Sequence, residues 1–85
     1  MKLAKIRTVL ECVKLLDSLG DRTITAWQVA TLVRNTMSSA TTYRYIRHME
    51  KIGLIEMVNK GNVRSISTTY KGEEFLDAWK RFKEM

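Results

Sequence analysis

Apolar residues recur at helical spacing in four stretches of this chain, and two further stretches have strand-like composition. Leu3, Ile6, Leu10, Val13 and Leu16 stand three and four residues apart, with Val9 close by. That spacing predicts a helix over residues 2–19, closed by Gly20. A second apolar line, Ala4, Thr8, Cys12, Leu15 and Leu19, runs along a different side of the same helix. A helix that is apolar over more than one face has more to bury than a small monomer usually covers.

The punctuation between apolar stretches defines the remaining elements. Thr25 is placed to cap a short second helix whose apolar positions are Trp27, Val29, Ala30, Leu32 and Val33. Ser38 is placed to cap a third, with Thr42, Tyr45, Ile46, Met49 and Ile52 on its inner face and Gly53 at its end. Leu54–Val58 and Val63–Thr69 read as strands around the turn-forming cluster Asn59-Lys60-Gly61-Asn62, with Gly61 taking the positive φ of a type I hairpin turn. Thr69 then caps a last helix over about residues 70–84, with Phe75, Ala78, Trp79 and Phe82 along one side and Leu76 adjacent. The expected fold is mainly α with a small β-hairpin, in the order α-α-α-β-β-α.

Length and composition narrow the function. Eighty-five residues make one domain, 1–85, with a modest core and a thin stability margin. The single cysteine excludes an internal disulfide and a cysteine-based zinc site. Small secreted domains usually carry disulfides, so an intracellular, cytoplasmic location is expected. The charge-interrupted N-terminal stretch has no apolar run suited to a signal peptide or a membrane span. No phosphate-cradling glycine loop and no metal-ligand cluster is recognisable, so no cofactor, no metal and no enzymatic activity is expected.

The formal charge of +6 matters less than its placement. Residues 34–71 hold Arg34, Arg44, Arg47, Lys51, Lys60, Arg64 and Lys71 against only Glu50 and Glu56, whereas the last fourteen residues carry more acids than bases. A concentrated positive excess points to a polyanionic partner. On the third helix, Ala40, Tyr43, Arg44, Arg47 and Lys51 share the face opposite the apolar one. The alternative is an ordinary solvated face with local ion pairs, such as Arg47 with Glu50.

Three segments carry a resemblance. Ser38-Ser39-Ala40-Thr41-Thr42-Tyr43-Arg44-Tyr45-Ile46 resembles the start of a recognition helix. Met49-Glu50-Lys51-Ile52-Gly53-Leu54-Ile55 resembles the junction where such a helix runs into a wing. Thr69-Tyr70-Lys71-Gly72 resembles the Thr-x-x-Gly that opens the helix after the wing. In this order they resemble the winged helix-turn-helix superfamily, in particular small MarR-like and PadR-like transcription regulators, over nearly the whole chain. One departure is the turn Arg34-Asn35-Thr36-Met37, which lacks the glycine often found there; Asn35 is expected to take a left-handed conformation instead.

The resemblance implies sequence-specific binding of double-stranded DNA, with repression expected over activation. Arg44 and Arg47 would read bases, since a guanidinium pairs bidentately with guanine. Tyr43 and Ala40 would meet bases or thymine methyls. Ser38, Ser39, Thr41 and Lys51 would hold phosphates, and Lys60 and Arg64 would act from the wing. A homodimer is expected through Cys12, Leu15 and Leu19 of the first helix and Phe75, Leu76, Trp79 and Phe82 of the last, within residues 70–85. His48 reads as an exposed residue or a phosphate contact, and Cys12 as a small packing residue. Two rival readings are a winged-helix module for protein–protein contact and a nucleic-acid-binding protein of replication or packaging. No small-molecule ligand is evident.

Overall fold

The elements follow the expected order in a computed structural model that describes residues 3–85, with side chains from Ile6 onward apart from that of Lys60. They are α1 (Leu3–Leu19), α2 (Ala26–Leu32), α3 (Ser39–Ile52), β1 (Ile55–Lys60), β2 (Val63–Thr68) and α4 (Tyr70–Lys83). Thr25, Ser38 and Thr69 each cap a helix through the hydroxyl, accepting from the backbone N–H of Gln28, Thr41 and Gly72. At α2 the Gln28 side chain accepts in return from the Thr25 N–H, completing a capping box. This is the winged helix-turn-helix fold.

The core is assembled from one face of each element. Cys12, Leu15, Leu16 and Leu19 of α1 meet Val29 and Val33 of α2, Met37 of the following turn, Ile46 and Met49 of α3, and Leu54, Ile55 and Ile66 of the hairpin. Thr42 is fully buried on α3, its hydroxyl donating to the Ser38 carbonyl at 2.9 Å, so no buried donor is left unmatched there.

The side of α1 expected to form a dimer interface faces the core instead. Cys12, Leu15 and Leu19 already have partners inside the domain, with Leu15 and Leu19 each only 1% exposed. Ile6, Val9, Leu10 and Val13 form the more open side. Spacing alone presents two apolar lines and cannot say which one a neighbour covers. The side chains of Leu3 and Ala4 lie outside the described residues, as does residue 2. Three other apolar positions also sit further out than their periodicity suggests. Ile52, the last residue of α3, is 39% exposed, and the left-handed Gly53 turns the chain so that Leu54 and Ile55 enter the core. Trp27 and Leu32, 68% and 52% exposed, lie on the outer side of a two-turn helix whose covered stripe is filled by Val29, Ala30 and Val33.

Two turns differ from expectation. No non-glycine residue among those described has positive φ, so Asn35 is not left-handed. The α2–α3 turn closes instead by the Thr36 and Met37 N–H groups donating to the Val33 carbonyl, both at 2.9 Å. At the hairpin tip Asn59 and Lys60 remain paired, with Arg64 and Val63, so the loop contracts to Gly61-Asn62. Positive φ at Gly61 (63°) and not at Asn62 matches the glycine-first pattern of a type II′ turn. One pairing had no counterpart in the sequence pattern: Ile24 bridges Ile66 on the outer side of β2.

Candidate nucleic-acid interface

The outward face of α3 is a stripe of Ala40, Tyr43, Arg44, Arg47 and Lys51, all exposed. Steps of three and four residues between them keep the stripe on one side of the helix. The inner side is occupied by Thr42, Ile46 and Met49, and this fixes the rotation of the helix about its axis. Ser38 and Ser39 are exposed at its N-terminal end, and Thr41 is half-buried. The Ser38 hydroxyl is already engaged: it accepts from the Thr41 N–H at 3.2 Å and donates to the Thr41 hydroxyl at 2.9 Å. Its first task is therefore the cap.

The cations divide into two groups. Arg22 donates to the carbonyls of Ser18 and Leu19 at the end of α1. Lys14 pairs with Glu11 at 3.2 Å and Lys80 with Asp17 at 3.6 Å. Lys71 donates to the carbonyl of Ile52 at 2.8 Å. By contrast, Arg34, Arg44, Arg47, Lys51 and Arg64 are exposed and form no ion pair among the described residues, as is also true of Arg7 on α1 and of Arg81 and Lys83 on α4, so the Arg47–Glu50 pair is not made. Each free guanidinium keeps its planar fork of donors available. Arg64 stands on β2 one pair from the hairpin tip. The Lys60 side chain lies outside the described residues; its backbone pairs with Val63 beside the loop.

His48 is exposed but leaves the cationic stripe. It lines a cleft of about 410 Å³ with Thr8, Val9, Cys12, Ile52, Leu54 and Phe75. Burial, with a smaller contribution from the Glu11 carboxylate, pushes the Cys12 thiol up from an ordinary 9.0 to about 11. This keeps the thiol neutral and unreactive at physiological pH.

On another side, α1 and α4 flank an apolar groove of about 480 Å³ lined by Ile6, Val9, Phe75, Ala78, Trp79 and Phe82. Phe75 and Leu76 pack partly against the core, while Phe82 is 67% exposed and stacks on Trp79 with ring centroids 6.0 Å apart. Of the expected α4 residues, Phe75, Trp79 and Phe82 line this groove, and Leu76 faces a separate cleft with Leu16 and Thr68. Their α1 counterparts are Ile6 and Val9; Cys12, Leu15 and Leu19 are in the core.

Sequence reasoning recognised Thr69-x-x-Gly72 only as a motif; its physical content is contact with the end of α3. Gly53 is left-handed (φ 85°), and the Leu54 N–H donates to the Met49 carbonyl and the Gly53 N–H to that of Glu50. These bonds form a Schellman motif. Three carbonyls beyond these, of Ile52, Gly53 and Leu54, accept from the Lys71 ammonium, the Thr69 hydroxyl (2.5 Å) and the Thr69 N–H (3.1 Å).

The same fold occurs in solved structures. A PadR family transcription regulator from hypervirulent Clostridium difficile superposes with a TM-score of 0.74 at 19% identity, over 84% of this chain and 83% of that one. F-93 of SSV1 gives 0.64 at 19% identity over 87% and 89% of the two chains. AF1382 from Archaeoglobus fulgidus gives 0.66 at 19% identity over 98% and 94%. No family profile and no curated protein matches the sequence.

Proposed function

We propose that this winged helix-turn-helix chain binds double-stranded DNA, with α3 in the major groove and the β1–β2 wing against the flanking backbone, and that it regulates transcription as a homodimer. The observation that carries this reading is the unpaired cationic stripe of α3 on the side away from the core. An α-helix with its side chains is about 10–12 Å across and the major groove about 12 Å wide, so α3 fits with its stripe toward the base edges. Arg44 and Arg47 read bases. Ala40 and Tyr43 contact bases or thymine methyls. Ser39, Thr41, Lys51, Lys60 and Arg64 contact phosphates and set the register. The likeness in fold to a PadR family transcription regulator supports DNA binding by this chain.

The apolar α1–α4 groove supports the dimer. A second copy covering Ile6, Val9, Trp79 and Phe82 removes that surface from water and can place two α3 helices about 34 Å apart, one turn of DNA. Repression by occupying a promoter is the simplest mode of action for such a dimer.

Fluorescence anisotropy on duplex DNA tests the reading. Arg44→Ala or Arg47→Ala is expected to cost about 1–3 kcal/mol at a selected site. Arg64→Ala is expected to weaken binding to all sequences and to flatten the salt slope by about one. Unchanged affinity in both α3 variants would overturn this docking.

A further inference from the structure

We propose that Thr69 and Lys71 are positioning residues for the DNA-binding face. They join the C-terminal end of α3 to the N-terminal end of α4 and set the angle at which α3 is presented. This rests on the docking proposed above.

The last carbonyls of a helix have no partner within it and must find one elsewhere. Here the carbonyl of Ile52, the last of α3, finds its partner on Lys71, and the carbonyls of Gly53 and Leu54 just past the helix find theirs on Thr69. The Thr69 hydroxyl donates to the Gly53 carbonyl while accepting from the Gly72 N–H at 3.1 Å. One oxygen atom therefore finishes α3 and begins α4. The Lys71 stem passes over Gly53, its δ-carbon 3.7 Å from where a side chain would begin, and its ammonium sits at the negative end of the α3 dipole. Gly72 lets the backbone of α4 approach the Leu54 carbonyl more closely than a β-carbon would permit.

These contacts act on the wide end of a lever. At 1.5 Å per residue α3 is about 21 Å long, so a tilt of about 5° at its exit moves Ala40 by about 2 Å. Hydrogen bonds to base edges do not survive such a shift unchanged. Lys71, one of the seven cations of the basic segment, then serves DNA binding without touching DNA.

The experiment separates position from contact. Duplex affinity is measured against salt for Lys71→Met, Thr69→Val and Thr69→Ser, and amide spectra are recorded for each free protein. Lys71→Met is expected to weaken binding by up to about two- to fivefold, the factor by which a cation at a helix C-terminus stabilises its helix, with the wild-type salt slope. A slope lowered by about one means a phosphate contact and overturns the proposal for Lys71. Thr69→Val is expected to lose more than Lys71→Met, and Thr69→Ser, which keeps the bridging hydroxyl, to recover most of it. In the free proteins, shift changes in Lys71→Met are expected to run from residues 52–54 along α3; changes confined to residues 69–73 overturn the joint. If the wild type binds no duplex, the proposed function fails, and the free-protein spectra still decide whether the joint exists.

Discussion

Replacing Gly72 by alanine sets two well-characterised effects against each other. Gly72 lies in the first turn of α4 with an ordinary helical φ. By propensity alone, alanine would stabilise the helix by up to about 1 kcal/mol. Its β-carbon, however, would stand 2.1 Å from the Leu54 carbonyl oxygen, 2.8 Å from the Thr68 γ-carbon and 3.1 Å from the Leu54 carbonyl carbon. Two of these three atoms are backbone, and the Leu54 oxygen is held by the Thr69 N–H at 3.1 Å. Relief requires α4 to retreat by about 1 Å, which stretches both Thr69 bonds to the end of α3. Overpacking of this kind costs about 1–3 kcal/mol, and two weakened hydrogen bonds add about 1 kcal/mol or more. The expected net effect of Gly72→Ala is a loss of about 1–4 kcal/mol, seen as a melting temperature lower by about 5 °C or more in a domain of this size. Urea unfolding followed by circular dichroism gives the value directly. Comparing Glu74→Ala with Glu74→Gly, at an exposed position of the same helix, calibrates the propensity term. A Gly72→Ala protein as stable as the parent, or more so, refutes the close-approach reasoning.

Three further outcomes are expected. A β-carbon at Gly61 meets no neighbour within 4 Å, but Gly61→Val must adopt a φ near 63°, so it is expected to perturb amide shifts at residues 58–64 and leave those of α1 and α3 in place. Native Cys12 is expected to resist thiol reagents at neutral pH and to react on unfolding. Because its folded pKa of about 11 exceeds the unfolded 9.0, its contribution to stability holds below pH 9 and declines as pH rises toward 11, a decline absent in Cys12→Ala when urea midpoints are compared. Ile6→Ser and Phe82→Ser, both at exposed positions of the α1–α4 groove, are expected to shift light scattering toward the 9.9 kDa monomer without loss of helix content; a wild-type protein already monomeric at micromolar concentration overturns the dimer.

Much of the architecture was legible because its signals are local. A hydroxyl at Thr25, Ser38 or Thr69 answers to amides three residues away, and Gly53 and Gly61 take backbone conformations that other residues resist. The α3 stripe was legible for the same reason: helical period and residue type suffice to place Arg44, Arg47 and Lys51 together. What failed was long-range. The choice between the two apolar lines of α1 depends on where α2, α3 and the hairpin pack. The exposure of Trp27 depends on how little of a two-turn helix its neighbours can cover. The cations near the end of α3 look equivalent in the chain, yet Lys71 is engaged with a carbonyl nineteen residues earlier, while Lys51 has no ion pair among the described residues.

The bridge between Ile24 and Ile66 gives the wing a root. The Ile66 N–H donates to the Ile24 carbonyl at 2.7 Å and the reverse bond spans 3.2 Å, while the Thr68 hydroxyl donates to the Gly20 carbonyl at 3.1 Å. The inner half of β2 is therefore stitched on both sides, to β1 and to the segment before α2. Beyond Ile66 this second row of stitches stops: Ser65 is still buried, and the exposed Val63 and Arg64 pair with β1 alone among the described residues. About two residues at 3.4 Å each project past the covered part of the strand, a cantilever of roughly 7 Å. Arg64 and the Lys60 backbone lie on this free span. Under the proposed docking, the protein pairs a reading head clamped at its exit with an arm that can flex, so duplexes of differing groove width meet the same α3 while the wing tip adjusts to each.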